Sequence, residues 1–307
     1  MSEDLGSKYV QYKTLLYQRH LDSGTWVLNR DLQKNQFADF GKGDSLFYTT
    51  ILLAALALEN NKPDYLTLLK SLNEQSFSPG MYPRYRDMFD TSKDPYHTFI
   101  LALLYGMASF PGNLYIRQTL SGLVDGVRKH DYHLVNPDGS KTLNGDMSGL
   151  KPVFGRIEGS TSPGYFLSLL VFPAYSFLLN LFRRSYFNNF MIANEYLMLE
   201  SCTPVGIPRW CLKGSVRMFS LVNRDNPYAL MLRDIVAGSG KHEPQVRAIL
   251  QTFPGTHLPN EGDRVTNSDV LWQIDPRDWQ TPNSQCVYEF AGVDFLILYR
   301  LYVKHYS

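Results

Sequence analysis

The sequence predicts an all-α protein whose buried helices form an α/α toroid, a complete or incomplete (α/α)6-type barrel with its long loops on one face. A recurring segment grammar is the first reason. A polar loop rich in Gly, Pro and Asp, and holding an acid, runs straight into a long apolar helix. It does so at 41–45 before 46–58, at 90–95 before 96–107, at 158–163 before 165–182, and at 289–292 before 293–303. Helices that are apolar nearly all round must be buried on most sides. Several of them with polar first turns at one end outline a ring with a cleft at that end. The second reason is that the alternating runs that mark half-buried strands are scarce.

The elements follow in order. A weakly amphipathic helix is expected over 8–19, then an extended piece centred on Trp26. Asp44 or Ser45 is a good N-cap for the helix over 46–58, because a short side-chain oxygen there satisfies a free backbone N–H. The run Asn60-Asn61-Lys62-Pro63 ends that helix, and Pro63 opens the next over 64–72. Residues 76–94 form a long loop with Pro79-Gly80 and Pro83; loops of this length in a compact domain are often functional. Asp94 as N-cap and Pro95 at the first helical position then start a helix that ends near Ser109, before Pro111-Gly112. Asn113 caps a further helix through Lys129. Residues 130–162 read as a second long polar loop, and helices resume at 163–184 and 185–200. A proline-rich break at 203–208 precedes helices over 209–221, 227–237 and 243–253. A third long loop covers 254–285, a short strand fits 285–290, and an apolar helix spans 291–304. No low-complexity linker divides the chain, so 1–307 reads as one domain.

Composition sets bounds on function. With 44% hydrophobic and 19% charged residues the chain is that of a folded globular protein. A net charge of +1 argues against bulk electrostatic binding to nucleic acid, which needs a basic footprint. Aromatics reach 14%, with 20 Tyr; such residues fill cores and also stack on sugars. Cys202, Cys211 and Cys286 show no CxxC spacing and make no disulfide framework, which fits a reducing compartment. The start Met1-Ser2-Glu3-Asp4 lacks the basic and apolar regions of a Sec signal, so cytoplasmic synthesis is expected. The stretch 165–182 has the length and the Arg183-Arg184 flank of a membrane span. Pro173 at its middle favours a buried, kinked helix instead.

Acids at helix starts are the main chemical signal. A helix N-terminus offers free N–H groups and positive potential, and two carboxyls held there in different states suit glycoside hydrolysis. Asp44, Asp90, Asp94, Asp146 and Glu158 are the candidates, with capping as the structural reading of Asp44 and Asp94. The segment 81–97 is the densest, with Tyr82, Arg84, Tyr85, Arg86, Asp90, Asp94 and His97 among its residues. Arg84 and Arg86 have the geometry to clamp a carboxylate, and His97 is placed to act as a base. Arg, Tyr and His together also suit β-elimination on a uronic acid; a salt-bridged, stacked loop is the structural reading. Asn136-Pro137-Asp138-Gly139-Ser140 starts like a calcium loop, but Lys141 and Met147 stand where Gly and Glu are needed, so it reads as a turn. The seven His show no HExxH, and P-loop, GxGxxG and GxSxG motifs are absent. No metal or cofactor is therefore expected.

Four stretches, 44–49, 91–94, 138–146 and 291–299, resemble those of the α/α-toroid proteins that include glycoside hydrolases, polysaccharide lyases and related phage proteins. In 138–146 the dipeptide Asn144-Gly145 replaces the Trp-Gly pair such a loop often carries. The resemblance implies a carbohydrate-active protein acting on a polysaccharide or oligosaccharide. The cleft would be built from loops 76–94, 130–162 and 254–285. Asp94 and Asp44 are the expected acid/base pair, and His97 becomes the base if the substrate is a uronate. Tyr82, Arg84, Tyr85, Arg86, Asp90, Asp146 and Glu158 are expected to bind substrate. The alternative is a non-enzymatic structural or assembly protein, such as a virion or tail component. Such a protein would act through self-association or an assembly partner and needs no cleft acids.

Overall fold

Helix α2 (Ser45–Leu58) buries every one of its residues, and the rest of the fold is arranged around it. The computed structural model describes residues 4–31, 34–39, 42–86, 88, 90–157, 213–214, 216–217, 220, 227–252, 288–289 and 291–307. Ahead of α2 come α1 (Leu5–Leu15), a π-helical turn Leu16–His20, and two antiparallel pairs. Strands β1 (Leu21–Asp22) and β2 (Trp26–Val27) form one, and β3 (Arg30–Asp31) and β4 (Gln36–Phe37) the other. After it come α3 (Lys62–Glu74), α4 (Lys93–Ser109) and α5 (Leu114–Lys129). A hairpin of β5 (His133–Val135) and β6 (Lys141–Asp146) leads to α6 (Lys151–Ile157). The remaining elements are α7 (Pro227–Ala237), α8 (Glu243–Thr252), β7 (Tyr288–Glu289) and α9 (Val293–Tyr306). Strand β7 adds to β3, giving the order β4-β3-β7.

The chain is mostly helical, as the sequence predicts in outline, but it also carries small sheets that an all-α reading does not include. The stretch 130–162 differs from its expectation as a plain loop, since it holds the β5–β6 hairpin and α6. Its strands show no clean alternation because a bulge shifts the register between His133 and Val135. Asn136 to Ser140 is the hairpin turn: Gly139 has φ +82°, and the Asp138 carboxyl accepts from the Ser140 N–H at 2.9 Å. The helices expected over 163–184 and 185–200, the break at 203–208, the loop 254–285 and all three cysteines lie outside the described residues. Among the described residues no helix is long and apolar enough to cross a membrane; the segment 165–182 lies outside them.

Helices α4 and α9 pack against α2 along their lengths, and α3 crosses beside it. Helices α2, α4 and α9 run the same way. Thr50 and Thr98, each in the second turn of its helix, share a hydrogen bond of 2.5 Å between α2 and α4. Late in both helices, Lys304 of α9 lies 5.1 Å over the Tyr105 ring of α4. The small strands sit at the starting end. Ser45 Oγ donates to the Val27 carbonyl, and the Val27 N–H donates to Thr49 Oγ1. The Ala291 N–H donates to Asn29 Oδ1, which fixes the entry to α9.

Helices α3 and α5 are amphipathic and bury one stripe each: Tyr65, Leu68, Leu69 and Leu72 on α3, Ile116, Leu120, Leu123 and Val127 on α5. Asn113 caps α5 as expected from sequence, its Oδ1 accepting from the Ile116 N–H, and Asn61, read from sequence only as part of a helix end, caps α3 through the Asp64 N–H. The Pro79-Gly80 turn presses onto α5. A Cβ at Gly126 would lie 2.3 Å from the Pro79 carbonyl oxygen, whereas one at Gly122 would meet nothing within 4 Å. Alanine is the better helix former by up to about 1 kcal/mol. Gly122→Ala is therefore expected to stabilise the fold by about that much. Gly126→Ala should cost roughly 1–3 kcal/mol, because the backbone oxygen must move. Chemical denaturation of the two variants checks the contrast.

Two polar contacts hold the region around α7, α8 and α9. The fully buried Asp234 carboxylate accepts four hydrogen bonds. The donors are His242 N–H (2.7 Å), His242 Nδ1 (2.8 Å), Ser239 Oγ (2.8 Å) and Tyr306 Oη (2.8 Å). Lys8, 2% exposed, donates from Nζ to the Leu250 and Gln251 carbonyls at 3.0 Å each. Those carbonyls belong to the last turn of α8, where a cation is favoured.

Candidate functional site

The polar starting end of α2 and α4 gathers most of the residues singled out in the sequence, and Arg84 is at its centre. Its backbone carbonyl accepts from the Leu46 N–H in the first turn of α2 (2.9 Å), and its own N–H donates to the Asp90 carbonyl (3.1 Å). The guanidinium donates from Nε to the Gly43 carbonyl (2.5 Å). It pairs with Asp44 at 3.5 Å through Nη2 and with Asp90 at 3.2 Å through Nη1.

The capping expected of Asp44 and Asp94 is not what the structure shows. Asp44 occupies the N-cap position of α2, yet its side chain makes no capping hydrogen bond. The Arg84 carbonyl binds the Leu46 N–H, and Ser45 Oγ turns away to Val27. Helix α4 begins two residues earlier than its Asp-Pro pair suggests. Ser92 is its N-cap residue and Asp94 lies inside the first turn, ahead of Pro95. Both carboxylates are thus released from the local role their sequence context favours.

The two acids are held differently. Asp44 is partly exposed and faces Arg84. Burial pushes the Asp94 carboxyl above its ordinary value. His97, Lys93 and Arg84 pull it down, the Asp44 charge pushes it up, and the net direction is upward. His97 lies one turn further along α4 and is 7% exposed. Asp90 is half-exposed on the outer side of Arg84. Asp146, the last residue of β6, accepts from the Ser148 N–H at 2.9 Å. Hydrogen bonds from Ser148 hold its carboxyl below the ordinary value, and the charges of His133 and Lys93 add to this. Glu158 lies outside the described residues.

Tyr82, Tyr85 and Arg86 take part in the internal packing of this end. Tyr82 is buried, donates to Asn73 Oδ1 at 2.7 Å and meets the Phe99 ring edge-on; burial drives its phenol well above the ordinary value. Tyr85 donates to Asp22 Oδ2 and meets Trp26 edge-on. Arg86 reaches the same Asp22 carboxylate at 3.2 Å and Ser23 Oγ at 2.8 Å, lying over the Tyr85 ring.

Asp22, Gly43 and Lys93 also belong to this end; Gly43 and Lys93 fall in the stretches 41–45 and 81–97 that stand out in the sequence, whereas Asp22 does not. Asp22 sits before Ser23-Gly24 and looks like a turn residue until the fold brings residues 85 and 86 to it. Glu289, the acid before α9, is fully buried and pairs with Arg19 at 2.8 Å. Its position in the loop-before-helix grammar is the one signal that marks it. Among the described residues no group of three or more His, Cys, Asp or Glu is placed to hold a metal ion.

Chemically, the cluster is acid-rich. Asp44, Asp90, Asp94 and Asp146 stand against Arg84 and Lys93, with one carboxyl biased toward its neutral form beside one that faces a guanidinium. Compared with protein-family models, with curated proteins and with solved structures, the chain matches none.

Proposed function

We propose that the protein is a carbohydrate-active enzyme that hydrolyses glycosidic bonds of a polysaccharide or oligosaccharide with a pair of carboxyls, on an α/α-toroid scaffold. The scaffold reading draws on the alternation of buried α2 and α4 with amphipathic α3 and α5. The buried α9 returns beside α2, and α1 packs on its far side through Tyr9–Tyr299 and Tyr12–Phe295 contacts. The observation that carries the chemistry is Asp94. Its carboxyl is shifted toward the protonated form in the first turn of α4, beside an Asp44 that faces Arg84. A carboxyl biased toward its protonated form beside a second acid is an arrangement that suits glycoside hydrolysis. Asp94 donates its proton to the glycosidic oxygen. Asp44 acts as the base or nucleophile on the other side, the choice following from their separation with sugar bound.

Hydrolysis is favoured over β-elimination by charge. Elimination on a uronate needs a cation to neutralise the substrate carboxylate, and Arg84 already serves Asp44 and Asp90. An acid-rich end suits a neutral sugar chain. The structural or assembly reading draws on a different observation: the charges of Arg84, Arg86 and Asp90 all meet internal partners, as an element that only needs to hold its shape would require. A panel of neutral and uronic-acid polysaccharides separates these readings, scored for new reducing ends and for ultraviolet absorbance of unsaturated products. Reducing ends without absorbance are expected. Absorbance would favour a lyase, and silence from folded protein would favour the assembly role.

A further inference from the structure

We propose that Arg84 is a positioning residue of the catalytic end, anchoring Asp44 as the anionic partner of Asp94 rather than clamping substrate. The inference rests on the hydrolase reading above. A guanidinium grips a carboxylate through two adjacent N–H groups. In Arg84 Nε donates to the Gly43 carbonyl and Nη1 to Asp90, and Nη2 between them is ion-paired with Asp44 at 3.5 Å. A substrate carboxylate would have to displace one of these partners.

The approach is built into the backbone. A Cβ on Gly43 would stand 2.6 Å from Nη2, so a side chain at residue 43 would push the flexible end of Arg84 aside. The Arg84 carbonyl meanwhile ties the loop to the Leu46 N–H, and its N–H ties it to Asp90. One residue therefore fixes three things together: the start of α2, the course of the 82–90 loop, and the charge beside Asp44. The charged groups acting on the pair are Arg84 and Asp90 from the loop and Lys93 and His97 from α4. Lys93 also faces Asp146 of the hairpin, whose carboxyl it and His133 help to hold below the ordinary value.

The test uses the full chain with Arg84→Met, Arg84→Lys and Gly43→Ala, each followed by its pH–rate profile and by carbon NMR titration of the Asp44 and Asp94 carboxyls. Removing a neighbouring cation raises a carboxyl, by about one pH unit for a close pair. Arg84→Met is expected to move the Asp94 titration and the acidic limb of the rate profile upward, and to lower kcat more than it raises KM. Arg84→Lys, which keeps the charge without the fork, should recover part of each change. Gly43→Ala, which displaces the guanidinium while leaving its charge, should shift both in the same direction by less. A lower melting temperature with unmoved titrations and rate profile would overturn the proposal. Rising KM with unchanged kcat would overturn it too, as the mark of a substrate clamp. Titrations that move in a chain that cleaves no sugar would uphold the hold of Arg84 on Asp44 and sink the hydrolase reading alone.

Discussion

At neutral pH, Asp94→Asn is expected to lower kcat by roughly 10²–10⁴-fold, the usual contribution of a general acid, while leaving the fold as stable as before or slightly more so. The two halves of this expectation come from the same feature. Asp94 is not the N-cap residue of α4, a position that Ser92 holds, so the isosteric amide replaces no N-cap side chain. Burial also disfavours its charged form. A carboxyl raised in the folded state stabilises the fold at pH below its ordinary value, near 3.9. That contribution fades as pH rises through the folded value. A neutral Asn at pH 7 avoids the cost of the buried charge. Turnover measured beside thermal unfolding decides the matter. If activity and stability fall together, Asp94 is a structural residue and the pairing with Asp44 carries no chemistry.

Asp234→Asn is expected to destabilise the protein by about 2–4 kcal/mol, because it leaves buried donors facing an amide nitrogen. Burial pushes the Asp234 carboxyl up, but the hydrogen bonds from His242, Ser239 and Tyr306 outweigh it and hold the group below its ordinary value. The sign of the pH dependence follows. A lowered carboxyl contributes fully above the unfolded value near 3.9 and is lost as pH falls through the folded value. Urea unfolding of the native chain and the variant should therefore differ most near neutrality and converge toward pH 3. Tyr306→Phe, which removes one donor of the four, should cost about 1 kcal/mol. A constant gap across pH would mean that the carboxylate charge is not what holds α7, α8 and α9 together.

Much of the fold was legible because it is written locally. The Asn61-Lys62-Pro63 and Asn113 starts carry their own caps, and the uninterrupted apolar run of α2 can be accommodated only inside the protein. The β5–β6 hairpin was not legible, since a bulge spoils its alternation and its strands are short. At the candidate site the sequence identifies which residues matter better than what they do. Asp44 and Asp94 look like caps because local chemistry favours them there. A carbonyl from residue 84 satisfies the first helix start, and α4 begins two residues early at the other. Asp22 was invisible, because nothing around it in the chain announces that Tyr85 and Arg86 will fold onto it. Arg84 reads as a clamp until its partners from residues 43, 44 and 90 are in place.

The packing of α9 and α8 against early segments has a consequence for how the chain is made. Lys8 waits for carbonyls 242 and 243 residues further on, and one flank of α2 is covered only when α9 arrives. At ordinary translation speeds the interval between the emergence of α2 and of α9 is roughly ten to fifty seconds. For that time a helix with hardly a polar side chain lacks one of its walls. A nascent chain of this design should engage apolar-binding chaperones. Refolding from denaturant should be slow and sensitive to protein concentration, since its nucleus needs contacts of very long sequence separation.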